Sequence, residues 1–313
     1  MAVEMLREQI VASRALKPVE HPLGTTTTNL SGTSFWSKVF NFNYIVRYMT
    51  FHFFNGAWRE PAFIFSPMGR LFLKEGYSAG VMRVIYDRDE KPSNVFDRVF
   101  LEYPLHRAVY DRLQILTRRL ETLFKKRLQE NKELRIFTAP SGFSYDIFKP
   151  LEALAQRNSN SMKRVKVVAC DLDPHGVLKG ELEARARKLG IAFQFVRGSI
   201  MDDAIRAQIA SGGPYDVALF VGLSSWLPKP ETVKHLEWLR HHLRPNAALV
   251  SDCFTADAYA LSGRYIGFKA HYYTPEMYKV LLDYCGYEGL SAEVESGRDG
   301  INHVVVTRPK TTG

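Results

Sequence analysis

Cysteine is scarce. The three in this 313-residue chain, Cys170, Cys253 and Cys285, lie far apart with no CxxC spacing. That excludes a disulfide framework and a thiolate zinc site, and it fits a reducing compartment. Long apolar runs are missing too. The greasiest stretch, 35–65, is interrupted by Lys38, Arg47, Arg59 and Glu60 and falls short of the ~18 uncharged residues a membrane-spanning helix needs. The opening MAVEMLREQI has Glu4, Arg7 and Glu8 where a secretory signal needs an unbroken apolar core, so a cytoplasmic location is expected. With 21 glycines and 15 prolines and no visible repeat, fibrous and low-complexity readings fall away. The remainder is globular, 46% hydrophobic and 24% charged, and its length suits about two domains. Acidic residues are the minority: 33 against 42 basic ones, a net charge of +9, which raises nucleic acid or an anionic membrane as a partner class.

The chain changes character near Asn131. Before it, Leu105, Val109, Leu113, Leu116, Leu120, Leu123, Phe124 and Leu128 recur at three- and four-residue steps, one apolar face of a helix over 105–128. The other face carries Arg107, Arg112, Arg118, Arg119, Lys125, Lys126 and Arg127, for which a solvated surface is the simplest reading. Residues 1–133 hold 20 basic and 14 acidic side chains, so the charge excess is concentrated there. After Asn131, strand-like runs at Leu134–Thr138, Val165–Asp171, 192–196, 215–221 and 247–252 alternate with helical stretches at 147–156, 180–189 and 230–242. Such alternation predicts an α/β fold, a doubly wound, mostly parallel sheet with helices on both faces. After a helix at Pro275–Tyr284, runs at 290–295 and 303–308 are joined by SGRDGIN, too short for a parallel crossover. The seven-stranded sheet therefore ends in an antiparallel hairpin. The expected organisation is a helical, aromatic-rich domain over 1–130 followed by the sheet domain over 131–313.

In a doubly wound sheet the ligand lies beyond the carboxyl ends of the strands, where strand order reverses. The loop after the first strand, Thr138-Ala139-Pro140-Ser141-Gly142-Phe143-Ser144, has small residues that let the backbone approach a ligand. An ordinary strand-to-helix turn would read the same way. Asp171 closes VVACD and is placed to accept hydrogen bonds from both hydroxyls of a ribose, whereas Asp173, followed by Pro174, reads as a helix cap. Ser199, Ile200 and Met201 suit the face and edge of an adenine, although Ile200 and Met201 suit core packing equally well. Gly222-Leu223-Ser224-Ser225-Trp226 keeps a cleft floor open, with Trp226 read as helix packing.

In their order and spacing, VVACDLDP, PYDVALFVGLSSWL, LRPNAALVSDCF and YTPEMYKVLLDYCGYEG before a terminal hairpin resemble the class I S-adenosylmethionine-dependent methyltransferases. The resemblance covers about 131–308, and the whole chain is similar in layout to a bacterial group of methyltransferase-like proteins with a helical N-terminal extension. It implies a Rossmann-like fold with S-adenosyl-L-methionine held by Thr138, Pro140, Ser141, Gly142, Ser144, Asp171, Leu172, Ser199, Ile200, Met201, Val221, Gly222 and Leu223. Two departures stand out. The family's acidic-x-Gly-x-Gly-x-Gly loop keeps only Gly142, with Thr138 for the acid, Pro140 for the first glycine and Ser144 for the third; its Pro-Gly-Gly becomes Pro245-Asn246-Ala247. The lost acid is an expected contact to the cofactor's amino group, and Pro140 removes a backbone donor; the Ser141 and Ser144 hydroxyls are candidate substitutes.

The implied reaction is methyl transfer by in-line displacement, with the protein mainly holding nucleophile and methyl carbon in line. No RNA-binding module is recognisable, and Val221-Gly222-Leu223-Ser224 stands where nucleic-acid amino-methylating enzymes carry Asn-Pro-Pro-Tyr or Asp-Pro-Pro-Tyr. A small, partly apolar acceptor follows, anionic or lipid-like in kind, methylated at oxygen, carboxyl or carbon, with nucleic acid disfavoured, no metal expected and the oligomeric state open. Its candidate contacts are Arg47, His52 and Arg59 among the twelve aromatics of 35–65, and Tyr265, Tyr272 and Tyr273 after the fifth strand; the aromatics also suit a helical domain's own core. His271 is the candidate base. The alternatives are an RNA or protein methyltransferase using the basic helix, a scaffold that has lost the cofactor, and an aminopropyl transferase, the last disfavoured because GLSSW lacks paired acids.

Overall fold

The computed structural model describes residues 65–88, 94–130, 132–174, 176–258 and 270–310. Arg47, His52, Arg59, Tyr265 and the aromatics of 35–64 lie outside them. The chain divides into two compact units, one with Ala108–Thr255 and the residues from Ala270 onward, the other with the helices before Arg107.

In the smaller unit, α1 (Pro67–Glu75) starts at Ser66, whose hydroxyl accepts from Gly69 N and donates to the buried Asp97 at 2.5 Å. Ser78 and Asn94 cap α2 (Ala79–Tyr86) and α3 (Val95–Leu101) in the same manner, each supplying the oxygen that a helix's first amides lack. His106 is buried among Phe72, Tyr77, Phe100 and Tyr103, its ring centroid 4.3 Å from that of Phe100. Burial lowers its pKa to about 4, against a hydrogen bond to Phe100 O that raises it.

The larger unit is a seven-stranded sheet of order β3-β2-β1-β4-β5-β7-β6. Its strands are β1 (Leu134–Thr138), β2 (Val165–Asp171), β3 (Ala192–Arg197), β4 (Tyr215–Phe220), β5 (Leu243–Phe254), β6 (Glu293–Ser296) and β7 (Asn302–Thr307). The first five pair in parallel, and β7 runs antiparallel to both β5 and β6, as expected. Every residue of β4 is buried, the mark of a strand covered on both faces. β5 begins earlier than expected because Leu243 pairs with Tyr215 before a register shift that accommodates Pro245, a residue that donates no ladder bond.

Between the strands run α5 (Tyr145–Arg157), α6 (Leu178–Leu189), α7 (Asp203–Ala210), α8 (Lys229–His241) and α9 (Pro275–Tyr284). α7 is not among the expected helices; it is short, eight residues, and a local signal for it is the Asp202 cap, which accepts from Ala204 and Ile205 N. His235 of α8 is buried between the rings of Phe220 and Trp238, and desolvation lowers its pKa to about 3, with Arg206 adding to the shift.

The helix α4 (Pro104–Gln129) corrects one expectation. Its apolar face is buried as predicted, with Leu123 half-buried, but its basic face is a solvated surface only in part, at the exposed Arg118, Lys125 and Lys126. Arg112 is buried and bonds Asp252 of β5 at 2.7 Å. Arg119 bonds Glu293 at 2.7 Å and Glu295 at 2.8 Å, Arg118 also pairs with Glu295, and Arg127 pairs with the buried Asp216. On the same helix Asp111 receives Arg298 at 2.6 Å. The acidic partners sit on strands 80 and more positions away, so spacing along one helix could not reveal them.

His106 and His235 make stability acid-sensitive. A histidine with a native pKa below its unfolded value of ~6.5 contributes fully above that pH. Its contribution is lost as the pH falls toward the native value, because the unfolded chain takes up the proton first. Each is expected to cost about 2 kcal/mol by pH 5, measured as urea unfolding at pH 7.5 and pH 5. His106→Phe and His235→Phe should flatten the dependence; an unchanged pH slope in both variants would remove these side chains from the account.

Candidate functional site

The strand order reverses between β1 and β4, and the carboxyl ends of those strands with β2, β3 and β5 form the edge where a doubly wound sheet takes its ligand. The two non-glycine residues with positive φ in the described chain, Ser144 (47°) and Asp173 (40°), both lie on this edge, and backbone strain of that kind gathers at functional loops.

The loop after β1 is tied to β2. Ser141 N donates to Cys170 O at 2.9 Å, and Gly142 N donates to Asp171 Oδ2 at 2.8 Å. Gly142 has φ 46°, and a Cβ there would meet nothing within 4 Å, so its glycine is required by conformation and the space beside it is open. Thr138 is buried and Pro140 exposed. Ser144 Oγ is buried and donates to Ser141 O at 3.1 Å, while Ser141 Oγ donates to Gly142 O at 3.3 Å. Both hydroxyls brace the loop itself.

Asp171 is partly exposed at the end of β2. Its Oδ1 accepts from Asp173 N at 3.2 Å, so two amides orient a carboxylate that retains lone pairs for further donors. Asp173 caps α6, its Oδ1 accepting from Val177 and Leu178 N at 3.0 and 3.2 Å. Leu172 is 64% exposed, an apolar side chain held out at the edge. After β3, Ile200 belongs to the core and Met201 packs against it; packing accounts for Ile200, which turns inward from the cleft. Ser199 Oγ accepts from Met201 N at 3.2 Å, and Arg206 Nε holds the loop through Ile200 O at 2.9 Å.

After β4, Val221, Gly222 and Leu223 are partly buried. Gly222 N donates to Asp252 Oδ1 at 2.6 Å, and Ser224 Oγ to Asp252 O at 2.6 Å. Asp252 is fully buried; its Oδ2 takes Arg112 Nη1 at 2.7 Å and Asn302 Nδ2 at 2.9 Å. Arg112, Asp252 and Asn302 form a polar pillar under the β4 loop, and none of them was singled out from the sequence. A carboxylate closing the buried run ALVSD was a readable signal for Asp252; Arg112 had none to separate it from its neighbours on α4. Beyond β5, His271 N donates to Ser225 O at 2.7 Å and Tyr273 N to Phe254 O at 2.9 Å, stitching 271–273 to the ends of β4 and β5. Tyr272 is partly exposed. Tyr273, expected at the acceptor, lies in the core against Tyr278, ring centroids 5.6 Å apart. Trp226 is 48% exposed and so is not the buried helix packing expected of it. Among the described residues no group of His, Cys, Asp and Glu is arranged to hold a metal ion, and no helix is long and apolar enough to cross a membrane.

No protein-family model matches the sequence, and no curated protein matches it. Solved structures do. A protein from Bordetella parapertussis described as a possible exported protein aligns with a TM-score of 0.60 at 18% identity, over 81% of this chain and 86% of that one. A "putative methyltransferase" from Thermobifida fusca aligns with a TM-score of 0.50 at 16% identity, over 72% and 94%. Magnesium protoporphyrin IX methyltransferase from Synechocystis, solved with bound S-adenosylhomocysteine, gives 0.49 at 14% identity, over 73% and 92%. With the strand order and the antiparallel β5-β7-β6 end, the fold is the Rossmann-like fold of the class I S-adenosylmethionine-dependent methyltransferases.

Proposed function

We propose that this chain is an S-adenosylmethionine-dependent methyltransferase acting on a small, partly apolar acceptor, anionic or lipid-like in kind, at oxygen, carboxyl or carbon. The observation that carries the reading is Asp171: a partly exposed carboxylate at the end of β2, oriented by the amides of Gly142 and Asp173 beside a loop with open space. These residues fit the cofactor. Asp171 would hold the ribose hydroxyls, Leu172 and Met201 would flank the adenine, and the small residues Gly142 and Gly222 keep the floor low. When bound, the cofactor supplies a methyl group already activated on a sulfonium, so this chain's residues serve chiefly to orient the acceptor and exclude water.

The acceptor half falls to β4, β5 and β7. Ser225 Oγ, Thr255 Oγ1 and Asn302 Oδ1 are buried there without a partner among the described residues. An orphaned buried polar atom costs about 1–3 kcal/mol, which a bound polar group relieves. The Asn302 amide is oriented by Nδ2 donating to two acceptors, Asp252 Oδ2 and Cys253 O, so its Oδ1 awaits a donor. His271, docked on Ser225, is the base in this reading. The acidic partners of Arg112, Arg118, Arg119 and Arg127 support a small molecule over a phosphate backbone, since those charges are already neutralised.

Calorimetric titration with S-adenosylmethionine and S-adenosylhomocysteine tests the reading. Micromolar binding of both is expected; no heat from either at millimolar concentration would leave a scaffold that keeps the fold without the cofactor.

A further inference from the structure

We infer that Asn302 selects the acceptor: its side-chain oxygen takes a hydrogen bond from an uncharged hydroxyl or N–H, so the group that the acceptor presents beyond β5 is a neutral donor and not a carboxylate. The inference rests on the methyltransferase reading above and deepens it, from a polar acceptor in general to one that donates at this place.

Asn302 opens β7 and pairs in register with Phe254, the last residue of β5, while Thr255 N donates to Ile301 O at 2.9 Å. It therefore stands at the carboxyl edge of the sheet, where the ligand is taken. Asn302 is 1% exposed and Phe254 opposite it 3%, so bulk water does not reach the side-chain oxygen. Nδ2 donates to Asp252 Oδ2 at 2.9 Å and to Cys253 O at 3.2 Å. Turning the amide over would set its oxygen against those two acceptors, so the orientation is fixed and Oδ1 is the atom left over. Among the described residues nothing donates to it.

The chemistry of the missing partner follows from charge. Oδ1 is a pure acceptor, whereas the orphaned Ser225 Oγ and Thr255 Oγ1 can turn to donate or accept and so discriminate little. A carboxylate brings no donor to Oδ1. Nor does it gain from Arg112, whose charge is already balanced by Asp252 through the same Oδ2 that Asn302 holds. An anion placed here would lie beside the Asp252 carboxylate and lose its own hydration. A hydroxyl or N–H meets the orphaned oxygen instead, in surroundings dry enough to strengthen the bond. Such an acceptor discriminates sharply, because a ligand without the donor leaves it unmet.

The test titrates the full chain, saturated with S-adenosylhomocysteine, with single-ring probes followed by ligand-detected NMR: phenol, which donates; fluorobenzene, of nearly the same shape without a donor; and benzoate, an anion. Phenol should bind in the millimolar range, at least about tenfold more tightly than either of the others. Asn302→Leu, which withdraws the oxygen, should abolish that preference; thermal melting reports on folding. Should this variant fail to fold because Asp252 loses a donor, Asn302→Ser keeps a hydroxyl for Asp252 without the carbonyl and should narrow the ratio several-fold. A merely structural Asn302 would lower the melting temperature in both variants and leave the preference as it is. Equal affinity for phenol and fluorobenzene, tighter binding of benzoate, no binding of phenol at millimolar concentration, or an unmoved ratio in the variants would overturn the inference, while bound S-adenosylhomocysteine keeps the cofactor reading standing. If S-adenosylhomocysteine itself does not bind, the cofactor reading falls and this inference with it.

Discussion

Asp252→Ala lowers the unfolding free energy by about 3–5 kcal/mol, the usual cost of stranding one member of a buried ion pair. Three donors lose their acceptor together: Arg112 Nη1, Gly222 N and Asn302 Nδ2. The loss is unequal in kind. The two neutral donors each cost what an unmet buried hydrogen bond costs, whereas the guanidinium becomes a buried, uncompensated charge on a helix that packs over the sheet. Asp252→Asn keeps an acceptor for one donor and should cost less, and Arg112→Met combined with Asp252→Asn should recover much of the loss, since replacing both members of a buried pair is often nearly neutral. Urea unfolding of the three variants decides the matter. A loss under about 1 kcal/mol for Asp252→Ala would mean that the pair contributes little net stability.

Asp171→Ala weakens S-adenosylhomocysteine binding roughly tenfold to a hundredfold, the range expected for hydrogen bonds to a charged group. Its stability should change far less than that of Asp252→Ala, because Asp171 is partly exposed and the amides it releases, Gly142 N and Asp173 N, lie at an edge reached by water. Part of the loss comes through the loop, since Gly142 N would no longer be held. Asp171→Asn separates the contributions: it keeps one side-chain carbonyl but loses the second acceptor oxygen and the charge, and should fall between wild type and alanine. Affinity unchanged in Asp171→Ala would remove the ribose role and leave Asp171 as a support for the loop.

These two aspartates differ in how far they could be seen in advance. Asp171 closes β2, and Asp252 lies two residues before the end of β5; only Asp171 was foreseen, because it stands at the place in a βαβ unit where a ribose is bound. Asp252 is defined by its partners, and Arg112 lies 140 positions away. The same limit explains the misread basic face of α4. Arg112, Arg119 and Lys125 share one pattern along the helix, and only the terminal hairpin and β5 distinguish the paired arginines from the exposed lysine. Tyr273 was misplaced for a related reason: an aromatic before a helix reads alike whether it faces a cleft or the core, and here its backbone bond to Phe254 O accompanies a side chain turned onto Tyr278.

The sequence by itself determined what depends on neighbours along the chain. The alternation of apolar strands with amphipathic helices set the parallel sheet, the short SGRDGIN link set the antiparallel end, and Asp173 before Pro174 set the cap of α6. These are local demands, met within a turn or a strand by hydrogen bonding and by burial of one face. Tertiary structure alone decided the charges. Which of the α4 arginines are buried and which acid balances Arg112 follow from where β5, β7 and α4 meet. Electrostatic energy depends on distance through space and on exclusion of water, and neither is written in the spacing of residues along a chain.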